Sequence, residues 1–208
     1  MLFMSLSFAQ LKVAVMDTGF KLEYLNSLPT CVKYNQNIND THGHGTNVTG
    51  LIQKYANSNN YCFYIYKVFL VKDNRATIKA IQDAIHHRVH IINYSGGGVY
   101  EDKEETRLIK KFLDSGGIFI AASGNDSRSL SKKCDYYPAC ADKRIVVVAN
   151  TQKSSNYGTP VDIFIDGKDK EAYGISLSGS SQSTAIYTGM FIDYFLKNIK
   201  VLKQPTDK

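Results

Sequence analysis

The side chains of this 208-residue chain best suited to chemistry are an aspartate, a histidine between glycines, a Gly-Asn turn and five clustered serines. Asp17 closes the apolar stretch VAVMDTGF, where Thr18 and Gly19 form a turn whose backbone donors can hold a carboxylate. His44 lies in NDTHGHGTNVTGLI at the apparent start of a helix, with Gly43 and Gly45 leaving room for close approach. Asn125 ends the run IFIAASGND in a turn of small residues, and GISLSGSSQSTAIYTG sets Ser176, Ser178, Ser180, Ser181 and Ser183 just ahead of a helical pattern. Each has an ordinary reading on its own: an Asx-turn, a surface histidine or a His42/His44 metal pair lacking a third ligand, a turn asparagine, and a polar loop with a helix cap. Together they are the parts of an acyl-transfer site. A serine hydroxyl is a poor nucleophile until a base accepts its proton, neutral histidine titrates near working pH, and a carboxylate can fix the imidazole tautomer.

Such groups must be delivered by the ends of regular elements. The runs KVAVM (12–16), YCFYIYKVFLV (61–71), HIINY (90–94), IFIAA (118–122) and RIVVVAN (144–150) are short and β-rich, as buried parallel strands are. Between them, ATIKAIQDAIHH sets Ile78, Ile81 and Ile85 on one helical face, and DKEETRLIKKFLDSGG does the same for Leu108, Ile109, Phe112 and Leu113, with Gly116 as C-cap. This alternation predicts an α/β fold: a three-layer α/β/α arrangement on a mostly parallel twisted sheet, with functional groups at the carboxyl ends of the strands. From Gln152 to Leu177 shorter pieces predict a sheet edge (VDIFI) and a hairpin, before a terminal helix over about 181–199.

Composition sets the class. With 43% hydrophobic and 21% charged residues the chain reads as an ordinary globular protein of one domain. Its net charge of +6 comes from lysines scattered along the sequence, which argues against a nucleic-acid partner, and no apolar run approaches the length of a membrane span. Residues 1–9, ending in Ser7, Phe8 and Ala9, read as a possible truncated signal segment without a positive start; the alternative is that Leu2 to Phe8 pack on the body. The expected domain covers 10–202, followed by a flexible tail at 203–208. Cys134 and Cys140 bracket a short DYYPA loop that a disulfide can close; Cys31 and Cys62 open predicted strands and pair if those strands are neighbours. Four free thiols are the alternative. The signal-like segment tips the reading towards an oxidising compartment and a secreted or extracytoplasmic location, with a cytoplasmic one as the alternative.

VAVMDTGF, HGTNVTG, INYSGGG, ASGN and SGSSQSTA resemble, in order and in neighbourhood, the Asp, His, oxyanion-Asn and Ser blocks of the subtilisin-like serine peptidases, over Val13 to Gly189. The order Asp, His, Ser is the one subtilisin itself exemplifies. The resemblance implies a subtilisin-like fold and a serine endopeptidase in which Asp17 orients His44, His44 is the general base and Ser181 is the nucleophile. Asn125 would be the oxyanion donor beside the N–H of Ser181, at the positive end of the terminal helix. Ser95, Gly96 and Gly97 would pair with an extended protein or peptide substrate, and Ala122, Ser123 and Gly124 would line the primary specificity pocket. No cofactor and no metal are implied, and a monomer is expected. Of the serines, Ser176 and Ser178 would belong to the approaching strand, Ser180 would replace the family's threonine, and Ser183 would face outward.

The departures from the family pattern carry expectations of their own. After Ser181 stand Gln182, Ser183, Thr184 and Ala185 in place of a Met-Ala-x-Pro run, with a modest effect on rigidity expected. Asn47 replaces the second histidine of the His block, off the triad, and should be tolerated. The segment ANSNN is too short for the calcium loop many relatives carry, so no calcium is expected there. Only 16 residues precede Asp17, where relatives carry a propeptide; a truncated gene model, a mature form and unaided folding are the three readings. If Tyr137 and Pro138 match a pocket-lining Tyr-Pro of relatives, Tyr136 falls near the pocket floor; otherwise it is a loop tyrosine beside a disulfide. Two rivals stand beside the serine-peptidase reading. An aspartic peptidase would need a second DTG, which this sequence lacks, so only a dimer would serve. A catalytically inactive, peptide-binding pseudopeptidase would keep the fold.

Overall fold

In the computed structural model, which describes residues 10–29, 31–34, 37–72 and 75–201, the apolar runs become one sheet. Its strands are β1 (Leu11–Asp17), β2 (Val32–Tyr34), β3 (Tyr61–Lys67), β4 (Ile91–Tyr94), β5 (Ile118–Ala122), β6 (Val146–Asn150) and β7 (Ile163–Ile165), all parallel, in the order β2-β3-β1-β4-β5-β6-β7. Among the described residues four α-helices cover it: α1 (His44–Tyr55), α2 (Ala76–His86), α3 (Lys103–Asp114) and α4 (Ser180–Val201). The alternating side chains of β1 show why the sheet needs both layers. Val13 and Val15 are buried on the face that also carries Val48, Ile52 and Ala185, whereas Ala14 and Met16 are buried on the face of Ile81, Ile109 and Phe112. Each fully buried aliphatic side chain contributes roughly 1.5–3 kcal/mol, and a one-residue slip would exchange the two sets, so register is strongly fixed. The three-layer α/β/α expectation is met.

Strand order reverses beside β1: the chain leaves it for β2 and β3 on one side and returns through α2 to β4 on the other. Open α/β sheets take their ligands at such a switch point, outside the carboxyl ends of the strands, and Asp17 stands there at the end of β1. The run expected as one strand over 61–71 ends at Lys67, because the N–H groups of Val68 and Phe69 both turn to the Asp17 carbonyl, at 2.8 and 3.2 Å. The strand expected over 144–150 starts at Val146, since Arg144 is tied to Asp142 and Asp114.

α3 buries Leu108, Ile109, Phe112 and Leu113 as its periodicity predicts, starts at Asp102, whose side chain accepts from the N–H groups of Glu104 and Glu105, and is followed by Gly116 at φ +85°. In α2 only Ile81 of the three predicted isoleucines is fully buried; Ile78 and Ile85 pack at the margin, and Ala80 and Ala84 let the helix approach the sheet. The expected hairpin is β8 (Lys170–Ala172) with β9 (Ile175–Leu177), joined by Tyr173 and Gly174, both at positive φ, which matches the twist of the strands. Both expected disulfides form: Cys31–Cys62 ties the neighbouring β2 and β3, and Cys134–Cys140 closes its short loop. Links of this kind typically contribute about 2–4 kcal/mol. The predicted signal segment and tail lie outside the described residues. Among the described residues no helix is long and apolar enough to cross a membrane.

Candidate active site

Asp17 ends β1 and is 1% exposed. Its Oδ1 accepts from the N–H of Thr18 at 2.7 Å and is bonded to Nδ1 of His44 at 2.7 Å, while its Oδ2 is buried without a partner. His44 is the first residue of α1, entered through Gly43 at φ +96°. Gly45 explains how the helix comes so near β1: a methyl there would lie 2.3 Å from the carbonyl oxygen of Gly19. Burial alone would depress the His44 pKa, but the charge and hydrogen bond of Asp17, aided by the charge of Asp40, outweigh it and raise it above the usual histidine value.

Asp40 is a site residue that the sequence reading missed. It is 2% exposed, and its Oδ1 accepts from the Thr18 hydroxyl (2.9 Å) and the N–H groups of His42 (3.0 Å) and Gly43 (2.8 Å). Its Oδ2 accepts from the N–H (2.9 Å) and hydroxyl (2.7 Å) of Thr46. Burial works against the charge, yet these donors together hold the carboxylate below its ordinary pKa. Since the Thr18 hydroxyl also accepts from the N–H of Gly45 at 2.8 Å, Asp40 clips the turn after β1 to the first turn of α1. An aspartate just ahead of a glycine-flanked helix start was the available signal.

Ser181 is the second residue of α4 and 8% exposed. Its hydroxyl donates to the carbonyl of Ser95 at 2.9 Å, so in this conformation it is not hydrogen-bonded to His44. Their helices pack through Val48, Ile52, Ala185 and Gly189, and are joined by a side-chain bond from Nε2 of Gln182 to Oδ1 of Asn47, at 3.0 Å, one residue beyond Ser181 and three beyond His44. The Ser95 hydroxyl donates to the Ser181 carbonyl (3.2 Å) and accepts from Asn93 (2.9 Å), whose other end accepts from Thr188 (2.8 Å). Asn93, buried within β4, also escaped the sequence reading because nothing marks a lone asparagine in an apolar strand.

Asn125 follows Gly124, at φ +96°, and its Oδ1 accepts from the N–H of Ser180 at 2.8 Å. That donor fixes the amide orientation and leaves Nδ2 bonded to no described residue, beside the start of α4. Ser180 accepts from the N–H of Gly124 at 3.2 Å. Ser183 does not face outward: it is fully buried, and its hydroxyl donates to the carbonyl of Ile165 at 2.8 Å. The reason is that α4 packs this side of its first turn against the segment after β7, where Gly167 leaves no room for a methyl beside the Ser183 hydroxyl.

Gly96 and Gly97 make no backbone hydrogen bond to the described residues, so an unpaired edge runs beside Ser95. Gly98 ends it, exchanging bonds with Tyr137 at 2.9 and 2.7 Å. Opposite lie Ala122 and Ser123, both sealed from solvent, with the Ser123 hydroxyl 3.2 Å from that of Ser155. Asn156 braces this turn, accepting from Asp126 and Arg128 and donating to the carbonyl of Ser123. Among the described residues no three His, Cys, Asp or Glu side chains gather as a metal would require.

Comparison with known proteins identifies the family and the fold. The chain is 28% identical over 206 residues to the minor extracellular protease Epr of Bacillus subtilis, covering 87% of this chain and 31% of that protein. It is 30% identical over 176 residues to alkaline protease 1 of Emericella nidulans, covering 73% of this chain and 42% of that protein. The chain thus spans under half the length of these two relatives. Among solved structures, a cold adapted subtilisin-like serine proteinase superposes with a TM-score of 0.75 at 22% identity, over 90% of this chain and 76% of the other. The prenylagaramide maturation protease PagA does so with 0.75 at 23% identity, over 95% and 79%. Residues 9–193 match the model of the subtilase family, and the chain belongs to that family.

Proposed function

We propose that the chain is a serine endopeptidase that hydrolyses peptide bonds of protein substrates through Asp17, His44 and Ser181, with Asn125 as oxyanion donor. The observation that carries this reading is the 2.7 Å bond between Asp17 and Nδ1 of His44. It leaves Nε2 as the base, on a helix bonded to α4 one residue from Ser181. An extended peptide pairs with the open edge Ser95, Gly96 and Gly97. The Ser181 hydroxyl turns from the Ser95 carbonyl to Nε2 of His44, gives up its proton there and attacks the scissile carbonyl carbon. The oxyanion is received by Nδ2 of Asn125 and the N–H of Ser181 at the positive end of α4. His44, now an imidazolium stabilised by Asp17, protonates the leaving amine; water then repeats the sequence on the acyl-enzyme and restores Ser181.

The peptidase unit in this reading is residues 10–202, acting as a monomer with Ala122, Ser123 and Gly124 on the specificity pocket. The two disulfides, with a relative named as extracellular, support work outside the cytoplasm. One observation favours a second reading, an inactive peptide-binding protein of the same fold: the Ser181 hydroxyl is bonded to a backbone carbonyl and not to the base. Labelling with a fluorophosphonate separates the two. Covalent labelling that disappears in Ser181→Ala is expected; a folded protein that takes no label is the inactive binder, and label that survives in the variant removes Ser181 from its role.

A further inference from the structure

Beside Ser181 and Ser180, which bond to Ser95 and Gly124, two glycines face one ring. A methyl built on Gly97 would lie 2.5 Å from Cε1 of Tyr136, and one built on Gly124 would lie 2.6 Å from its Cζ. The outer end of the phenol therefore touches both the open edge and the turn that carries Asn125, spanning the gap between them. The ring is 9% exposed, and its hydroxyl bonds no described residue although it is not sealed in. A ring set between two glycine walls occupies space that a ligand's side chain would otherwise enter.

The loop that carries Tyr136 is tied down on every side. Cys134–Cys140 closes it, Asp135 is bonded to Arg128, the carbonyl of Tyr136 accepts from the N–H of Cys140 at 2.9 Å, and Tyr137 exchanges two backbone bonds with Gly98. These bonds fix the backbone beneath the ring, so an incoming side chain can displace the phenol only by turning it to another rotamer.

We propose that Tyr136 fills the pocket for the residue on the acyl side of the scissile bond, so that only the smallest side chains, glycine, alanine and serine, are accepted there. The proposal rests on the serine-peptidase reading above and narrows its substrate class. A branched or aromatic side chain would have to share the space with the phenol, and overpacking of that kind is costly, whereas a methyl is not. Positive charge at that residue gains nothing from the neutral phenol.

The test is a series of peptide anilides that differ only at this residue: glycine, alanine, leucine, phenylalanine and lysine. Wild-type protein should cleave the alanine peptide with a kcat/KM at least about tenfold above the leucine and phenylalanine peptides, the scale on which a pocket discriminates bulk. Tyr136→Gly should invert that order, mainly through KM for the large residues, while Tyr136→Phe, which keeps the ring, should preserve it. A wild-type preference for leucine or phenylalanine would overturn the proposal even if the glycine variant fails to fold. So would a folded Tyr136→Gly with an unchanged order. Fluorophosphonate labelling in parallel keeps the two levels apart: labelled protein with the wrong preference rejects the role of Tyr136 alone, and unlabelled, uncleaving protein rejects the peptidase reading and this proposal with it.

Discussion

The two sides of the cleft are built on different physics. On the β1–α1 side, two buried carboxylates are held by donors from both elements, and Asp17, His44, Thr18, Asp40 and Thr46 form one connected network. On the β4–β5–α4 side, Ser181, Ser95, Asn125 and Ser180 make neutral bonds, two of them at 3.2 Å, and the Asn125 amide keeps a donor bonded to no described residue. In the proposed reaction the first side would fix charge before a substrate arrives. The second would keep groups available for one that has bound, the division that general-base catalysis with a preorganised oxyanion site requires.

If that division holds, substitutions on the second side should remove turnover without much cost in stability. Ser181→Ala should lower kcat about 10⁶-fold, the scale known for the triad serine of subtilisin. Thermal unfolding should change little, because the serine loses one neutral bond, to the Ser95 carbonyl; residual turnover within tenfold of wild type would mean that another residue is the nucleophile. Asn125→Ala should cost about 10²–10³ in kcat, again a magnitude taken from subtilisin, with KM nearly unchanged. An effect confined to KM would assign the amide to substrate binding instead.

On the first side the same size of change should appear in both activity and stability. Asp40→Asn keeps the shape but loses the charge that five hydrogen bonds serve, so a loss of about 2 kcal/mol in unfolding free energy is expected. Asp40 has a folded pKa below its ordinary 3.8, so its stabilisation is fully present above that value and fades as pH falls through the lowered one. The variant should lack that acid-side loss. His44 has a pKa raised above 6.5, and it must be neutral to act; kcat/KM should therefore rise with pH to a midpoint above 6.5. Removing the Asp40 charge should move that midpoint down towards 6.5. A midpoint that stays put would show that the field of Asp40 does not reach the imidazole.

The same contrast governs what was legible in the sequence. Val13, Val15, Leu108 and Phe112 declare their faces through periodicity, and Asp17 and His44 announce themselves because turn glycines flank them. Asp40, Asn93 and Asn156 were missed, since a buried polar residue is recognisable only once its partners are assembled, and those partners lie in other segments. The outward face assigned to Ser183 failed for a related reason: helical phase tells which residues share a side, not which neighbour, here the carbonyl of Ile165, arrives to cover it.

Asn47 and Gln182 are the place where the two sides meet, and they provide the most delicate test. Read separately, each is a local departure from the family pattern, and Asn47 was expected to be tolerated. Joined, they are a buried pair: the Asn47 amide donates to the carbonyls of Lys170 (2.9 Å) and Ile175 (2.7 Å) and accepts from Gln182, so one side chain holds α1, the hairpin and α4. Asn47→Ala should therefore be the costlier change, because it strands one amide donor and weakens two carbonyl contacts, whereas Gln182→Ala strands only one acceptor. A double-mutant cycle should return a coupling of about 1 kcal/mol in stability. It should also lower kcat/KM together with stability, since loosening this bond separates His44 from Ser181. Zero coupling would mean that the two sides of the cleft are positioned by the sheet alone, and that the pair merely fills space between helices.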